Sequence, residues 1–135
     1  YGKDKEMSSA IREHYYPITV QGELPTSALS SLVALTDKLD YLLGCFLIGN
    51  VPTGSSDPYG LRRHSSGILR ILLHRQWELP LSVCINRSLT HFSVSRAHVQ
   101  KEILEFLLER FNLLMQDLGY TLDEIYAITK NAKKI

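Results

Sequence analysis

Along most of this chain apolar residues recur at every third or fourth position, with charged and hydroxyl residues between them, and no stretch alternates in twos as a half-buried strand would. That period predicts an all-α domain, an orthogonal bundle of five to six helices. A first helix is expected over residues 4–16, ending before Pro17, with Met7, Ile11, His14 and Tyr15 inward. A loop with Pro17, Gly22 and Pro25 leads to a central helix that starts near Thr26 or Ser27. Its stripe is Leu32, Leu35, Leu39, Leu42, Leu43 and Phe46. After a turn-rich segment a second long helix continues to about Gln76, and Trp77 and Leu79 cover the core edge. A short helix follows from Pro80-Leu81 to about Leu89, with Leu81, Cys84, Ile85 and Leu89 inward. Residues 93–95 form a polar entry to the most regular helix, 96–118, whose stripe is Val99, Ile103, Phe106, Leu107, Leu113, Leu114 and Leu118, with Gly119 as its C-cap. Thr121 and Glu124 then make a capping box for a last helix, with Leu122, Ile125, Ile128 and Ala132 inward.

The segment between the two central helices holds the most pointed chemistry. Gly49, Pro52, Gly54 and Pro58 punctuate it, and Thr53, Ser55, Ser56 and Asp57 supply side chains that bond locally to backbone. Asp57 is placed to cap free amides, and Pro58 suits a first helical position, which needs no N–H. Arg62 and Arg63 fall just inside the helix. Two guanidinium groups beside a glycine-containing loop and a helix N-terminus suit a phosphate or carboxylate. The same arginines would equally serve to pair with Asp37, Asp40 or Asp57 and fix the loop. Asp37 and Asp40, three apart around Lys38, can share one helix face. Gly60 and Gly67 each cost about 1 kcal/mol against alanine in a helix, which close packing or close approach of a ligand backbone would explain.

Composition narrows the function. The 135 residues suffice for one domain with its own core, and 44% apolar and 21% charged residues are ordinary for a globular chain. The net charge of +1 creates no global field for nucleic acid, so any RNA contact must come from a local patch. No apolar run has the length of a membrane span, and no signal peptide is visible. Cys45 and Cys84, far apart and in apolar surroundings, read as reduced thiols in a cytosolic protein. The chain opens on Tyr1, as a piece of a longer protein would. No phosphate-binding glycine motif occurs, and His14, His64, His74, His91 and His98 are never three or four apart, so neither a metal site nor a catalytic residue is assigned. The basic end of the last helix, Lys130, Lys133 and Lys134, complements its dipole and leaves room for a weak phosphate contact.

The run Asp37-Lys38-Leu39-Asp40, Gly44-Cys45-Phe46, Ile48-Gly49, Pro52-Thr53-Gly54-Ser55, Asp57-Pro58, Leu61-Arg62-Arg63, Gly67 and Arg70-Ile71 resembles the β subunit of bacterial-type, two-subunit glycyl-tRNA synthetase. Glu13, Tyr15, Pro17 and Leu24-Pro25 fit it, as do Arg110-Phe111 and the Asp117-x-Gly119-Tyr120 step, so the resemblance covers nearly the whole chain. Thr36 departs from the alanine more usual there. The resemblance implies a part of β similar to the later portion of an HD-phosphohydrolase domain, in degenerate form. Asp37 is similar to the last metal-ligand aspartate of that superfamily, yet no His-Asp dipeptide accompanies it. It further implies that an α subunit or domain, using ATP and Mg, makes the glycyl-adenylate, while β positions tRNA-Gly. Three readings follow. One is an RNA-positioning module, with Arg62, Arg63 and Arg70, and more weakly Lys130, Lys133 and Lys134, on phosphates. Another is a structural connector packed on the α subunit or other β domains, its arginines paired internally. The third is a metal phosphohydrolase using Asp37. Asp37, Lys38, Asp40, Thr53, Gly54, Ser55 and Asp57 belong to the signature in each case.

Overall fold

The computed structural model describes residues 2–92 and 96–132, with the side chains of all of these except residues 96, 131 and 132. Among the described residues there are six helices and no strand: α1 (Gly2–Glu13), α2 (Ala28–Leu47), α3 (Leu61–Arg75), α4 (Leu81–Leu89), α5 (Arg96–Asp117) and α6 (Leu122–Ala132). The expected all-α class and the order of its helices are what is found. Lys133, Lys134 and the polar entry at residues 93–95 lie outside the described residues, as does the side chain of Ala132.

The core sits where α2, α3, α4 and α5 meet. Leu35, Leu42, Leu43 and Phe46 of α2 close on Leu61, Ile68 and Ile71 of α3, on Ile85 and Leu89 of α4, and on Ile103 and Leu107 of α5. Phe46 meets Phe106 edge to face, with ring centroids 5.5 Å apart. Trp77 and Leu79 pack against the rim, as expected. Ser27 caps α2, its hydroxyl accepting from the Ser30 amide at 3.0 Å. The Thr121–Glu124 box also forms: the Glu124 carboxylate accepts from the Thr121 amide at 2.8 Å, and the Thr121 hydroxyl accepts from the Glu124 amide at 3.3 Å. The bond from the Thr121 amide, and a second that the Thr121 hydroxyl donates to the carboxylate at 2.9 Å, hold the Glu124 carboxyl below the usual carboxylate value.

Several inward positions differ from expectation. The first helix ends at Glu13, earlier than expected; Met7 and Ile11 on it and Tyr15 beyond it face out, with exposures of 58, 68 and 64%, and His14 is only half-buried, while Ala10, Glu13 and the following Pro17 are buried. Polar anchors turn the helix this way. The Glu13 carboxylate accepts from the Thr26 amide at 2.8 Å and from its hydroxyl at 2.9 Å. Burial alone would raise that carboxyl, but the bonds from Thr26 and Ser30 and the Arg12 charge hold it below its usual value. Leu32, Leu113, Leu118, Leu122 and Ile128 are also exposed. The last four lie at the α5–α6 end, where α6 packs on α5 and on no other described helix, so Ile125 alone suffices to seat it. Cys45 is buried and Cys84 half-buried, both free thiols.

Candidate functional site

The signature segment builds the face formed by α2, the start of α3 and the loop between them. Thr53 and Ser56 exchange backbone hydrogen bonds of 3.1 and 2.9 Å, closing a tight turn over Gly54-Ser55. Gly54 takes φ +56°, a backbone region costly for a residue with a Cβ. Asp57 caps as expected, accepting from the Leu61 amide at 2.9 Å and the Arg62 amide at 3.0 Å. The helix begins later than expected, however. Gly60, with φ +65°, is its N-cap, and Pro58 lies in the preceding turn instead of at the first helical position. The chain must reverse at Gly60 before α3 can start, so Asp57 reaches over an intervening turn to the orphan amides.

The arginines do not pair with the acids. Among the described residues no ion pair joins Arg62 or Arg63 to Asp37, Asp40 or Asp57. Arg62 donates to the Gly54 carbonyl, which ties the turn to α3. Arg70 donates to the Val20 carbonyl at 2.8 Å, and Arg75 to Ser31 Oγ at 2.9 Å and the Pro25 carbonyl at 3.2 Å. Arg63 is exposed and its guanidinium folds back over Gly60, where an added Cβ would stand 3.0 Å from Nη2. No hydrogen bond or ion pair engages it among the described residues. Asp37 and Asp40 share a face, as their spacing predicts, and line a groove between α2 and α4 together with Leu79 and Leu81.

Lys38 is the deepest charge of the segment, 3% exposed. It passes under Gly67 and donates through Nζ to the Tyr15 carbonyl at 3.0 Å. Burial pushes its ammonium below the usual lysine value, Asp37 opposes this and Arg63 adds to it. Gly67 is thus a packing glycine: a Cβ there would meet Lys38 Cε at 2.9 Å and Pro17 Cδ at 3.3 Å.

Beside Lys38 lies a group that spacing in the sequence did not single out. Tyr41 stacks on His64 with centroids 4.4 Å apart, and its hydroxyl donates to the Tyr59 carbonyl at 3.2 Å. Burial, with the neighbouring Lys38 and Arg63 charges, lowers His64 to about 4, so its ring is neutral at physiological pH. Its Nδ1 is buried without a hydrogen-bond partner. Burial, Cys45 and Tyr59 raise the Tyr41 phenol, against the Arg63 charge.

The structure therefore joins Arg62 to Gly54 and Asp57 in the turn, and sets Lys38, Arg63, Asp37 and Asp57 within electrostatic reach of His64. Arg70 is drawn to the loop between α1 and α2, and Lys130 stands apart on α6 with its ammonium 5.9 Å from the Tyr126 ring centroid. Among the described residues no group of three His, Cys, Asp or Glu side chains stands where it could hold a metal ion, and the Lys38 ammonium lies within electrostatic reach of Asp37.

Comparison with known proteins accounts for the signature run. The family model described as glycyl-tRNA synthetase beta subunit matches residues 1–130. The glycine–tRNA ligase beta subunit of Oceanobacillus iheyensis is 42% identical over 133 residues, covering 96% of this chain and 19% of that protein. That of Citrifermentans bemidjiense is 44% identical over 120 residues, covering 86% of this chain and 18% of that protein. That of Lactobacillus acidophilus is 35% identical over 139 residues, covering 98% and 20%. The chain spans about a fifth of the length of these relatives. With a family match over nearly its whole length, the chain belongs to the glycyl-tRNA synthetase β subunit family.

Proposed function

We propose that this chain is a tRNA-positioning module of a cytoplasmic glycine–tRNA ligase β subunit. On this reading it supports the ATP- and Mg-dependent attachment of glycine to tRNA-Gly, carried out with an α subunit or domain, and holds no catalytic residue itself. The observation that carries the reading is Arg63: an exposed guanidinium with no hydrogen bond or ion pair among the described residues, beside a loop that Arg62 and Asp57 hold in shape. Five N–H donors in a rigid fork match a phosphate. Such a contact gives affinity and register rather than base selection.

The test is binding of the chain to tRNA-Gly and to a non-cognate tRNA at two salt concentrations, with the wild type and Arg63→Met. Salt-sensitive binding is expected, and the substitution should lower the salt slope by about one phosphate contact. The connector reading has its own support, since Arg62 and Arg70 are turned to backbone carbonyls of the chain itself. Absence of binding even at low salt would decide for it.

A further inference from the structure

We propose that Tyr59, buttressed by Tyr41, and Arg63 form a seat for one unpaired RNA nucleotide, the base lying on the Tyr59 ring and its phosphate on the Arg63 guanidinium. The inference rests on the RNA-contacting reading of this face and names the form of RNA it takes. Tyr59 is 44% exposed in a short turn between Asp57 and Gly60. Its backbone is fixed on both sides. The Tyr41 hydroxyl holds its carbonyl at 3.2 Å, and the Gly60 amide donates to the Asp57 carbonyl at 3.2 Å. Tyr41 is itself held by its stack on His64. An exposed ring on a rigid mount loses little entropy when a base stacks on it.

Charge supports the same use. The His64 ring stacked on Tyr41 is neutral, so Arg63 supplies the positive charge of this face. The Arg63 guanidinium folds back over Gly60, the residue after Tyr59, with Nη2 3.0 Å from where a Gly60 Cβ would stand, which places a phosphate-binding group beside the Tyr59 mount. The amides of Leu61 and Arg62 are already taken by Asp57, so the side chain of Arg63, and not those amides, must take the phosphate. A base offers a free face only when unpaired and unstacked, which selects single-stranded over duplex RNA.

The test uses the chain with an RNA trinucleotide carrying 2-aminopurine at its centre, and with the same probe paired within a hairpin stem. Quenching of the probe fluorescence is expected for the trinucleotide and not for the stem. Tyr59→Leu should weaken trinucleotide binding about tenfold or more and abolish the quench, and Tyr59→Phe should restore both. Arg63→Met should weaken binding and reduce its salt dependence while leaving a residual quench. An unchanged affinity in Tyr59→Leu, or equal binding of trinucleotide and stem, overturns the seat. If that happens while tRNA still binds in an Arg63-dependent way, the positioning module stands and only the seat is lost. If neither tRNA nor trinucleotide binds at low salt, both fail.

Discussion

Gly67→Ala offers a sharp test of the packing that carries this face, because two terms of opposite sign compete. Helix propensity favours alanine by about 1 kcal/mol. Sterics oppose it: the new Cβ would stand 2.9 Å from Lys38 Cε and 3.0 Å from Lys38 Cδ, with Pro17 Cδ at 3.3 Å. A free lysine would swing away at little cost. Lys38 is not free, being buried and held at Nζ by the Tyr15 carbonyl. Moving it either strains the core, at about 1–3 kcal/mol, or breaks a hydrogen bond from a buried charge, at about 1.5–3 kcal/mol. Taking the middle of either range, about 2 kcal/mol, against a propensity gain of about 1 kcal/mol, the net expectation is a loss of about 1 kcal/mol, read as a lower urea midpoint with an unchanged slope. Gly44→Ala is the internal control. It too is a helical glycine, in α2, but nothing lies within 4 Å of its added Cβ, so it should gain up to about 1 kcal/mol. In a Lys38→Met background the Gly67→Ala penalty should shrink, since the thioether chain is not pinned at its end. A Gly67→Ala protein as stable as the wild type would refute the clamp, and so would a penalty that stays undiminished when Lys38 is replaced by methionine.

Three other perturbations have outcomes set by the same structure. His64, lowered to about 4 in the fold against 6.5 unfolded, favours the folded state while neutral; its contribution is complete above about 6.5 and is lost as pH falls from there towards 4, and an NMR titration should find its midpoint near 4. Glu13, whose carboxyl is held below its unfolded value, contributes stability above that value that fades as pH falls through the folded one; Glu13→Gln should be less stable at pH 7 and lose less on acidification, measured by urea titration at pH 7 and about pH 3.5. Thr121→Ala removes the hydroxyl that caps α6 and should cost about 1 kcal/mol, seen as faster hydrogen exchange of the first-turn amides of α6.

The helices were legible because burial acts on a local period. The stripe Leu35, Leu42, Leu43, Phe46 is spaced by the geometry of one helix and needs no knowledge of the partner. The capping box at Thr121 and the capping role of Asp57 were legible for the same reason, since donor and acceptor lie within a few residues. The rotation of α1 was not. It is set by Glu13 reaching Thr26 and by Lys38 reaching the Tyr15 carbonyl, contacts that join different elements and leave no period. Met7 and Ile11 look inward by composition and lose to these polar anchors. The fate of the arginines was hidden for a related reason. Arg62 and Arg70 were visible as cations, but their acceptors are main-chain carbonyls, a group every residue carries and no sequence marks. Tyr41, Tyr59 and His64 come together only because the loop folds back onto α2.

This use of carbonyls separates two jobs that ion pairs would merge. Among the described residues the ion pairs lie on α1 or α5: Arg12 with Glu13, His98 with Glu102, Lys101 with Glu105 and Arg110 with Glu109. On α2 and α3 the cations Lys38, Arg62, Arg70 and Arg75 hold loop carbonyls instead. A carbonyl fixes the position of a guanidinium but does not cancel its charge. The α1–α2 and α2–α3 loops are thereby strapped down, while the positive charge that strapped them remains. Asp37 and Asp40 meanwhile line the groove with α4, and neither forms an ion pair with Arg62 or Arg63 among the described residues. A chain with a net charge of only +1 can in this way keep a local cationic face, with Arg63 as its unengaged member. Had the same arginines been paired with carboxylates, the loops would be as well fixed and the face would have little to offer a phosphate.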